Sequence, residues 1–306
     1  MKYTYLGPEG TFSEAALLSV PEAAEAERIP SHSVPAALSK VRQGEVDAAM
    51  VPIENSVEGG VTATLDAIAA GDDLRIVGEV LVPIRFILVG APGIRLDEVR
   101  VVSTHSHAWA QVRGWMEETL PGADYVPASS TAAAAVALLD GTPDYDAAVC
   151  SPIVADHHPE LNVLATDIGD NANAITRFVL VTAVKGGLPT PAPTGADKTT
   201  VVIPLPKDRA GALMDLLEQF AARGVNLSRI ESRPTGEALG MYFFSIDAEG
   251  HVDNLRMRHA LRGLHRVSTG VKFLGSYPRA DGRKPIVDPH HTDEAFARAN
   301  AWVDGL

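Results

Sequence analysis

Two kinds of segment alternate along the first 185 residues. Short apolar runs typical of buried strands are separated by alanine-rich segments whose apolar residues recur at helical spacing. This alternation predicts α/β structure with a largely parallel sheet and helices on both faces. The units form two groups, before and after about residue 80, which predicts two lobes with a cleft between them. The predicted strands are Tyr3–Leu6, Ala48–Ile53, Arg85–Val89, Arg100–Val102, Ala147–Val149 and Phe178–Thr182, and the predicted helices are Glu14–Val20, Val34–Gln43, Ala108–Leu120 and Thr131–Leu139.

The pattern stops at a linker and then restarts. Lys185–Gly195 contains three prolines and three glycines, which no strand or helix accommodates. The order βαββαβ that follows predicts a ferredoxin-like sandwich. Residues 279–306 end in a helix-like run, to which no function is assigned. The six elements of the sandwich are Thr199–Leu205, Ala210–Arg223, Leu227–Glu231, Met241–Ile246, Asp253–Leu264 and Val271–Leu274, and the run in the tail is Asp293–Val303.

Composition and charge narrow the function classes. The net charge of −13 argues against binding to nucleic acid, which needs many cationic contacts to phosphate. The sequence contains no run of about 18 apolar residues, so no membrane span is predicted. Cys150 is the single cysteine, so an intrachain disulfide and cysteine-rich metal sites are excluded. The first residues lack the pattern of a secretory signal, and a cytoplasmic location is the default expectation.

Glycine and hydroxyl residues follow the first strand. In Gly7–Glu14 the glycines permit a tight turn, and free N–H groups at the start of the next helix favour an anion near Thr11 and Phe12. An ordinary helix cap explains the same residues. In a second such segment, Val51–Val61, a strand ends at Glu54-Asn55-Ser56. Ligands bind at the carboxyl ends of strands in α/β folds, so these side chains could face a ligand. A helix cap followed by a turn explains the same residues.

Three further segments carry candidate polar groups in the second group of units and beyond. Thr104 and His105 precede a helix that contains Gln111; His105 is either an acid–base group or a structural histidine, and its i, i+2 spacing to His107 disfavours a metal pair. Ser129-Ser130-Thr131 is typical of a helix cap. The adjacent pairs His157-His158 and His290-His291 are expected to be solvated surface residues.

A conspicuous triplet opens the last strand before the linker. In Thr176-Arg177-Phe178, strand alternation places Thr176 and Phe178 on one face and Arg177 on the other. The threonine could enter the cleft with the ring beside it, and Arg177 could bind a carboxylate or brace the site from behind. The start of any amphipathic strand would look the same.

Taken in order, these segments resemble the prephenate dehydratase family. Gly7–Glu14, Val51–Val61, Thr104–Gln111, Ser130–Ala135 and Thr176–Phe178 carry the resemblance over residues 1–185. It implies a periplasmic-binding-protein-like catalytic domain (second lobe about 81–170), a linker over 186–197 and a tail over 279–306. Residues 198–278 resemble an ACT regulatory domain of such enzymes.

The resemblance implies a reaction and roles. Prephenate loses carbon dioxide and water to give phenylpyruvate in phenylalanine biosynthesis, and no cofactor or metal is expected because aromatisation drives the reaction. The implied catalytic residues are Thr176, Arg177, Phe178, Asn55 and Ser56, and the implied substrate-binding residues are Thr11, Phe12, Glu54, Thr104, His105 and Gln111. Family members often carry Asn two residues before the Thr-Arg-Phe motif, where this chain has Ala174, and a cysteine where it has Val112.

The ACT resemblance implies feedback inhibition by phenylalanine bound between two copies of the domain, and hence a dimer or tetramer. The implied effector site comprises Gly211, Ala212, Leu213, Asn226, Leu227, Glu231, Ser232, Arg233 and Pro234. Two alternatives stay open at this point. One is arogenate dehydratase, whose substrate carries an amino group in place of the side-chain ketone. The other is a non-catalytic binding protein with two similar lobes, which the triplet at Thr176, the regulatory domain and the missing signal disfavour.

Overall fold

The computed structural model describes residues 1–71, 73–141, 143–205, 209–236, 238 and 240–306. Within these ranges, the strands are β1 (Lys2–Leu6), β2 (Glu27–Ser31), β3 (Ala48–Asn55), β4 (Gly59–Gly60), β5 (Leu74–Pro83), β6 (Ile87–Gly90), β7 (Val101–Thr104), β8 (Asp124–Pro127), β9 (Ala147–Cys150), β10 (Asn162–Ala165), β11 (Ile175–Ala183), β12 (Asp197–Pro204), β13 (Leu227–Pro234), β14 (Tyr242–Glu249) and β15 (Lys272–Pro278). The helices are α1 (Phe12–Leu18), α2 (Pro21–Ala24), α3 (Val34–Arg42), α4 (Thr62–Ala69), α5 (Ser106–Thr119), α6 (Thr131–Ala137), α7 (Pro152–His157), α8 (Ala212–Ala221), α9 (Leu255–Val267) and α10 (Asp293–Asp304), with short 3-10 helices at Leu96–Glu98 and Pro289–His291. None of these helices combines the length and apolar composition needed to cross a membrane.

The first sheet has the order β2-β1-β3-β11-β5, with the short β4 paired to β3. Strands β1 and β2 run parallel, as the alternation of strands and helices predicts. Strand β11 returns to this sheet from a distant part of the chain and lies beside β3. This return brings the Thr176 segment next to the Asn55 segment, although the two residues are 121 positions apart in the sequence.

The second sheet has the order β10-β6-β9-β7-β8 and is mixed. Strand β7 runs parallel to β8 and β9, whereas β6 is antiparallel to β9 and β10. Both faces are buried: Ile87 and Val89 join one apolar cluster, and Leu88 joins another. A strand with two buried faces is apolar without alternation, which is why this sheet reads as short continuous apolar runs. Cys150 is fully buried here, and desolvation raises the pKa of its thiol to about 12.

The third sheet, β13-β14-β12-β15, is antiparallel throughout and packs against α8 and α9. Leu216 and Phe220 of α8 and Met257 and Leu264 of α9 are buried in one core with residues of the sheet. The predicted order βαββαβ is therefore observed, and with the two α/β sheets it confirms the predicted fold class. Residues 184–196, all described, contain neither helix nor strand.

The chain forms two compact units that do not follow sequence order simply. The first comprises Met1–Lys40, Ala49–Val61 and Val80–Phe178, and the second comprises Val41–Ala48, Thr62–Glu79 and Val179–Leu306. The whole second sheet belongs to the first unit, and the whole third sheet belongs to the second. The described part of the second unit also contains α4 and α10.

The C-terminal tail docks on the ferredoxin-like domain. Phe296 of α10 lies 5.0 Å from the His259 ring of α9, measured between ring centroids, and Asp293 Oδ1 accepts a hydrogen bond from Leu255 N at 2.9 Å. The expectation that His290-His291 is solvated is wrong for His291. Gly224 has a φ of +63°, and a Cβ placed there would lie only 2.5 Å from the His291 ring. The imidazole of His291 therefore packs against Gly224 in space that any larger residue would occupy.

A buried ion pair ties β13 to β14 and provides a test of the third sheet. Arg229 Nε donates to Asp247 Oδ2 at 2.8 Å, and Thr200 Oγ1 donates to Asp247 Oδ1 at 2.7 Å. Both charged side chains are almost fully buried, at 3% and 0% exposure. Removing one partner leaves the other charge buried without a compensating charge.

We expect Arg229→Met to lower the free energy of unfolding by about 3–5 kcal/mol, measured by urea denaturation. The double variant Arg229→Met/Asp247→Leu should recover most of this loss because neither charge is then buried alone. Arg258→Met, which removes an exposed arginine from α9, is the matched control and should change the free energy little. An Arg229→Met variant as stable as the control would contradict the account.

Candidate functional site

A cavity of about 360 Å³ lies in the first unit, within the size range of small-molecule sites. Residues from the loops of both α/β sheets line it, which is where ligands bind in such folds. The lining residues are Leu6, Gly7, Thr11, Phe12, Ser13, His32, Asn55, Glu58, Val61, Ile84, Phe86, His105, His107, Ala108, Gln111, Ser129, Ser130, Thr131 and Thr176.

The starts of three helices face the same cavity. The N-cap residues of α1, α5 and α6 are Thr11, His105 and Ser130, and all three line it. Each helix start presents backbone N–H groups and the positive end of a dipole, so the three together favour negative charge. None of the described lining residues is a lysine or an arginine. An anion in this cavity is therefore held mainly by neutral donors and helix dipoles.

The loop before α1 is fixed from both sides. Ser151 Oγ, at the start of α7, donates to Gly10 O at 2.6 Å, and Gly10 N donates to Glu14 Oε2 at 2.6 Å. Gly10 has a φ of +79°, and a Cβ there would lie 2.7 Å from Val154 Cγ2. Only glycine fits this close approach without displacing α7. The loop thereby joins the part of the first unit that contains α1 to the part that contains the second sheet.

Asn55 and Thr176 meet at the cavity wall. Asn55 Nδ2 donates to Thr176 Oγ1 at 2.8 Å. Asn55 Oδ1 accepts from Val57 N at 2.8 Å and from Glu58 N at 3.1 Å, which fixes the direction of the amide. Thr176 is 8% exposed, and its hydroxyl forms no other hydrogen bond with the described residues. Since its oxygen accepts from Asn55, its proton remains available to a group in the cavity.

Ser56 and Arg177 hold this pair from behind. Ser56 N donates to Ile175 O at 2.9 Å, and Ile175 N donates to Ser56 Oγ at 2.9 Å, so the turn after β3 is clamped to the start of β11. Arg177 NH1 lies 3.3 Å from Glu54 Oε2, and its side chain is 5% exposed. The guanidinium is thus paired with a carboxylate of the neighbouring strand, which fits the brace rather than direct contact with a ligand.

Two histidines and a glutamate form the wall next to α5. His105 Nδ1 accepts from His107 N at 3.3 Å, which in a neutral ring leaves the proton on Nε2. Burial, together with neighbouring His107, lowers the pKa of His105, so the ring is a neutral donor near pH 7. His107 Nδ1 forms a short contact with Glu58 Oε2. Among the described residues, no group of three or more His, Cys, Asp or Glu side chains is arranged to hold a metal ion.

An aromatic pair and an orphan acceptor complete the lining. Phe12 and Phe86 meet edge to face, with ring centroids 5.6 Å apart, and Ile84 extends this apolar wall. Gln111 Nε2 donates to His107 O at 3.2 Å, but Gln111 Oε1 is buried and has no hydrogen-bond partner among the described residues. A buried acceptor of this kind is costly unless a ligand or water donates to it.

The structure brings together about half of the predicted residues. Thr11, Phe12, Asn55, His105, Gln111 and Thr176 line the cavity, whereas Glu54, Ser56, Thr104, Arg177 and Phe178 are not among its described lining residues. Thr104 is fully buried and donates to Val149 O at 2.8 Å. Phe178 is buried and lies two residues further along β11 than Thr176, about 6.6 Å away along the strand.

Sequence reasoning missed part of the lining. His32, Glu58, Phe86 and Ser13 were not singled out for this cavity, and His107 was considered only as a metal ligand. Glu58 lies three residues after Asn55, in the same turn, so position next to that segment was the available signal. His32 follows β2, and no pattern in the sequence marked that strand.

The residues predicted for an effector site lie around α8 and β13. Gly211 is the N-cap of α8, Ala212 is buried, and Leu213 is 37% exposed. Asn226 O accepts from Glu249 N at 2.8 Å just before β13 begins at Leu227. Strand β13, which contains Glu231, Ser232, Arg233 and Pro234, is the edge strand of the third sheet. Arg233 forms a bidentate pair with Asp66, with both N–O distances at 2.9 Å.

Comparison with known proteins identifies the family. The family model described as prephenate dehydratase matches residues 3–185. A prephenate dehydratase of Amycolatopsis methanolica is 45% identical over 302 residues, covering 99% of this chain and 96% of that protein. The crystal structure of a prephenate dehydratase from Arthrobacter aurescens in complex with L-Phe is 63% identical, with a TM-score of 0.94, and the match covers 100% of this chain and 99% of that one.

A further solved structure, the quorum-quenching acylase GqqA, is 30% identical with a TM-score of 0.79, and the match covers 91% of this chain and 98% of that one. The shared fold alone therefore does not assign a reaction. The family match, the full-length relative and the cavity point the same way, and the chain belongs to the prephenate dehydratase family.

Proposed function

We propose that this chain is a carbon–oxygen lyase that converts prephenate to phenylpyruvate, carbon dioxide and water. The observation that carries the proposal is the hydrogen bond from Asn55 Nδ2 to Thr176 Oγ1, which leaves the threonine proton available to a group in the cavity. Family membership supplies the reaction, and this contact supplies a donor where the reaction needs one.

The difficult step is departure of the ring hydroxyl. As carbon dioxide leaves, the electron pair of the broken C–C bond enters the ring, and the C–O bond breaks with its electrons on oxygen. The departing oxygen becomes water by taking one proton from the solvent, and a hydrogen-bond donor at this oxygen lowers the barrier. Thr176 is a weak acid, and we propose that it donates a hydrogen bond and orients the leaving oxygen.

Binding of the substrate uses the charge distribution of the cavity. Prephenate carries two carboxylates, and we propose that the helix starts at Thr11, His105 and Ser130 provide donors for them. His105 contributes its Nε2 proton while neutral. These groups hold charge without a cation in the described lining, so neither carboxylate is locked into a strong ion pair.

The ring of the substrate is proposed to lie against the apolar wall of Phe12, Ile84 and Phe86. A carboxylate beside such a wall has less water around it than in solution, which favours its loss as neutral carbon dioxide. Arg177, paired with Glu54, positions β11 against β3 and acts through Thr176 rather than on the substrate.

The third sheet with α8 and α9 is proposed to act as an ACT regulatory domain that binds L-phenylalanine. Support comes from the Gly211–Leu213 turn, the exposed edge strand β13, and the 63% identical structure solved with L-Phe. A site built from two edge strands needs two copies of the chain, so a dimer or tetramer belongs to the proposal. Inhibition then follows if phenylalanine binds an inactive state more tightly than an active one. A cytoplasmic location and a place in phenylalanine synthesis complete the proposal.

We expect Thr176→Val to lower kcat for phenylpyruvate formation by about 10²–10³-fold, the usual loss when one donor to a developing charge is removed. Thr176→Ser keeps the hydroxyl and should retain a larger share of the rate. Thr119→Val changes an exposed threonine at the end of α5 and is the matched control, with wild-type kcat expected. Wild-type turnover by Thr176→Val would refute the role of Thr176; no turnover of prephenate by the wild type would refute the proposed function.

We expect L-phenylalanine to inhibit the wild type, and Asn226→Ala to need about fivefold more of it for half inhibition, since loss of one hydrogen bond costs about 1 kcal/mol. The rate without phenylalanine should be unchanged because Asn226 lies in the second unit. Asn300→Ala, at an exposed position of α10, serves as control. If the wild type and both variants were equally sensitive to phenylalanine, Asn226 would not belong to the effector site. If phenylalanine did not inhibit the wild type, the regulatory proposal would be wrong.

A further inference from the structure

A second cavity lies in the second unit, between the start of α9 and the segment before α10. Its volume is about 260 Å³. We call it the C-terminal cavity; its lining comprises Gly195, Asp197, Gly250, Asn254, Arg256, Lys284, Pro285, Val287, His291, Thr292 and Asp293. No residue proposed for the reaction or for phenylalanine binding belongs to it.

The central feature of this cavity is the buried guanidinium of Arg256. The residue is 4% exposed, and its side chain forms no hydrogen bond or ion pair with any described residue. Arginine stays charged in proteins, so an unpaired buried guanidinium is costly. Burial lowers the pKa of Arg256, and the negative charges of Asp293 and Glu249 partly oppose that shift without forming an ion pair with the guanidinium.

The nearby carboxylates are already engaged. Asp197 accepts hydrogen bonds from Thr194 N, Thr194 Oγ1 and Gly195 N. Asp293 Oδ1 accepts from Leu255 N at 2.9 Å, and Glu249 Oε1 is paired with Arg279. The three carboxylates therefore form hydrogen bonds or ion pairs with other groups, and none of them forms an ion pair with Arg256.

Other donors surround the same space. The backbone N–H groups of Arg256 and Met257, in the first turn of α9, have no acceptor among the described residues, as the geometry of a helix start dictates. Asn254 Oδ1 accepts from His251 N, which leaves its Nδ2 group to donate. Lys284 and His291 also line the cavity.

We propose that the C-terminal cavity binds a small oxyanion of the phosphate class, with Arg256 as its principal ligand and Lys284 as its second cation. A tetrahedral anion offers acceptors in several directions, which suits a guanidinium, an ammonium and the N–H groups of a helix start. Such an anion bridges α9 and the segment 284–293 and thereby fastens the tail to the ferredoxin-like domain.

The test is hydrogen exchange of the full-length chain, read by mass spectrometry, with inorganic phosphate against sodium chloride at equal ionic strength. We expect peptides that cover 252–258 and 284–293 to exchange more slowly, by about tenfold at ten times Kd. Local readout separates this cavity from the catalytic one, which also favours anions. Acetate at the same concentration should protect less; equal protection by acetate would overturn the phosphate assignment.

Three variants decide the ligands. Lys284→Met should weaken phosphate binding, measured by calorimetry, by about tenfold, and Arg256→Met should abolish the local protection. Arg283→Met removes the neighbouring exposed cation, which does not line the cavity, and should bind as the wild type does. Lys284→Met keeps the test decisive should Arg256→Met fold poorly. No phosphate-specific protection in the wild type, or equal effects of Lys284→Met and Arg283→Met, would overturn the proposal.

Discussion

The hydrogen bond between Asn55 and Thr176 is the constraint on which the catalytic site depends. It joins residues 121 positions apart, and it exists because β3 and β11 are neighbours in one sheet. The Ser56–Ile175 clamp and the Arg177–Glu54 pair hold that register. A hydroxyl can both accept and donate; because Thr176 accepts from the amide, its proton is left for the proposed substrate. Local turn geometry at Asn55 thus decides the chemistry of a residue on another strand.

Electrostatics in this protein is local. The chain carries a net charge of −13, yet three helix starts make one cavity favourable to anions, and a buried arginine does the same for another. The two sites differ in a way that matches their proposed roles. The catalytic cavity has no lysine or arginine in its described lining, which suits a carboxylate that must leave. The C-terminal cavity has one of each, and its two carboxylates accept hydrogen bonds from backbone N–H groups, which suits an anion that stays.

The sequence predicted the interior of the fold better than its margins. Continuous apolar runs marked β3, β6, β7, β9 and β11, but β2, β5, β8 and β10 were missed, and all four lie at sheet edges. The edge strand β2 contains Pro30 and exposed polar residues and therefore has a weak pattern, whereas β5 is a long apolar strand interrupted by Gly78 and Glu79. The same limit applied to the site. Motif residues located Thr176 and Asn55, but only tertiary packing shows that Phe86 rather than Phe178 lines the cavity, that Thr104 is spent on Val149, and that His291 packs on Gly224.

The direction of the Asn55–Thr176 hydrogen bond is tested most directly by Asn55→Asp. A carboxylate retains both acceptor bonds from Val57 N and Glu58 N, but it has no proton to give, so Thr176 must donate to it instead of to the substrate. We expect kcat to fall to the level of Thr176→Val, and the double variant Asn55→Asp/Thr176→Val to be no slower than either single variant. A wild-type kcat for Asn55→Asp, or losses that multiply in the double variant, would contradict this expectation.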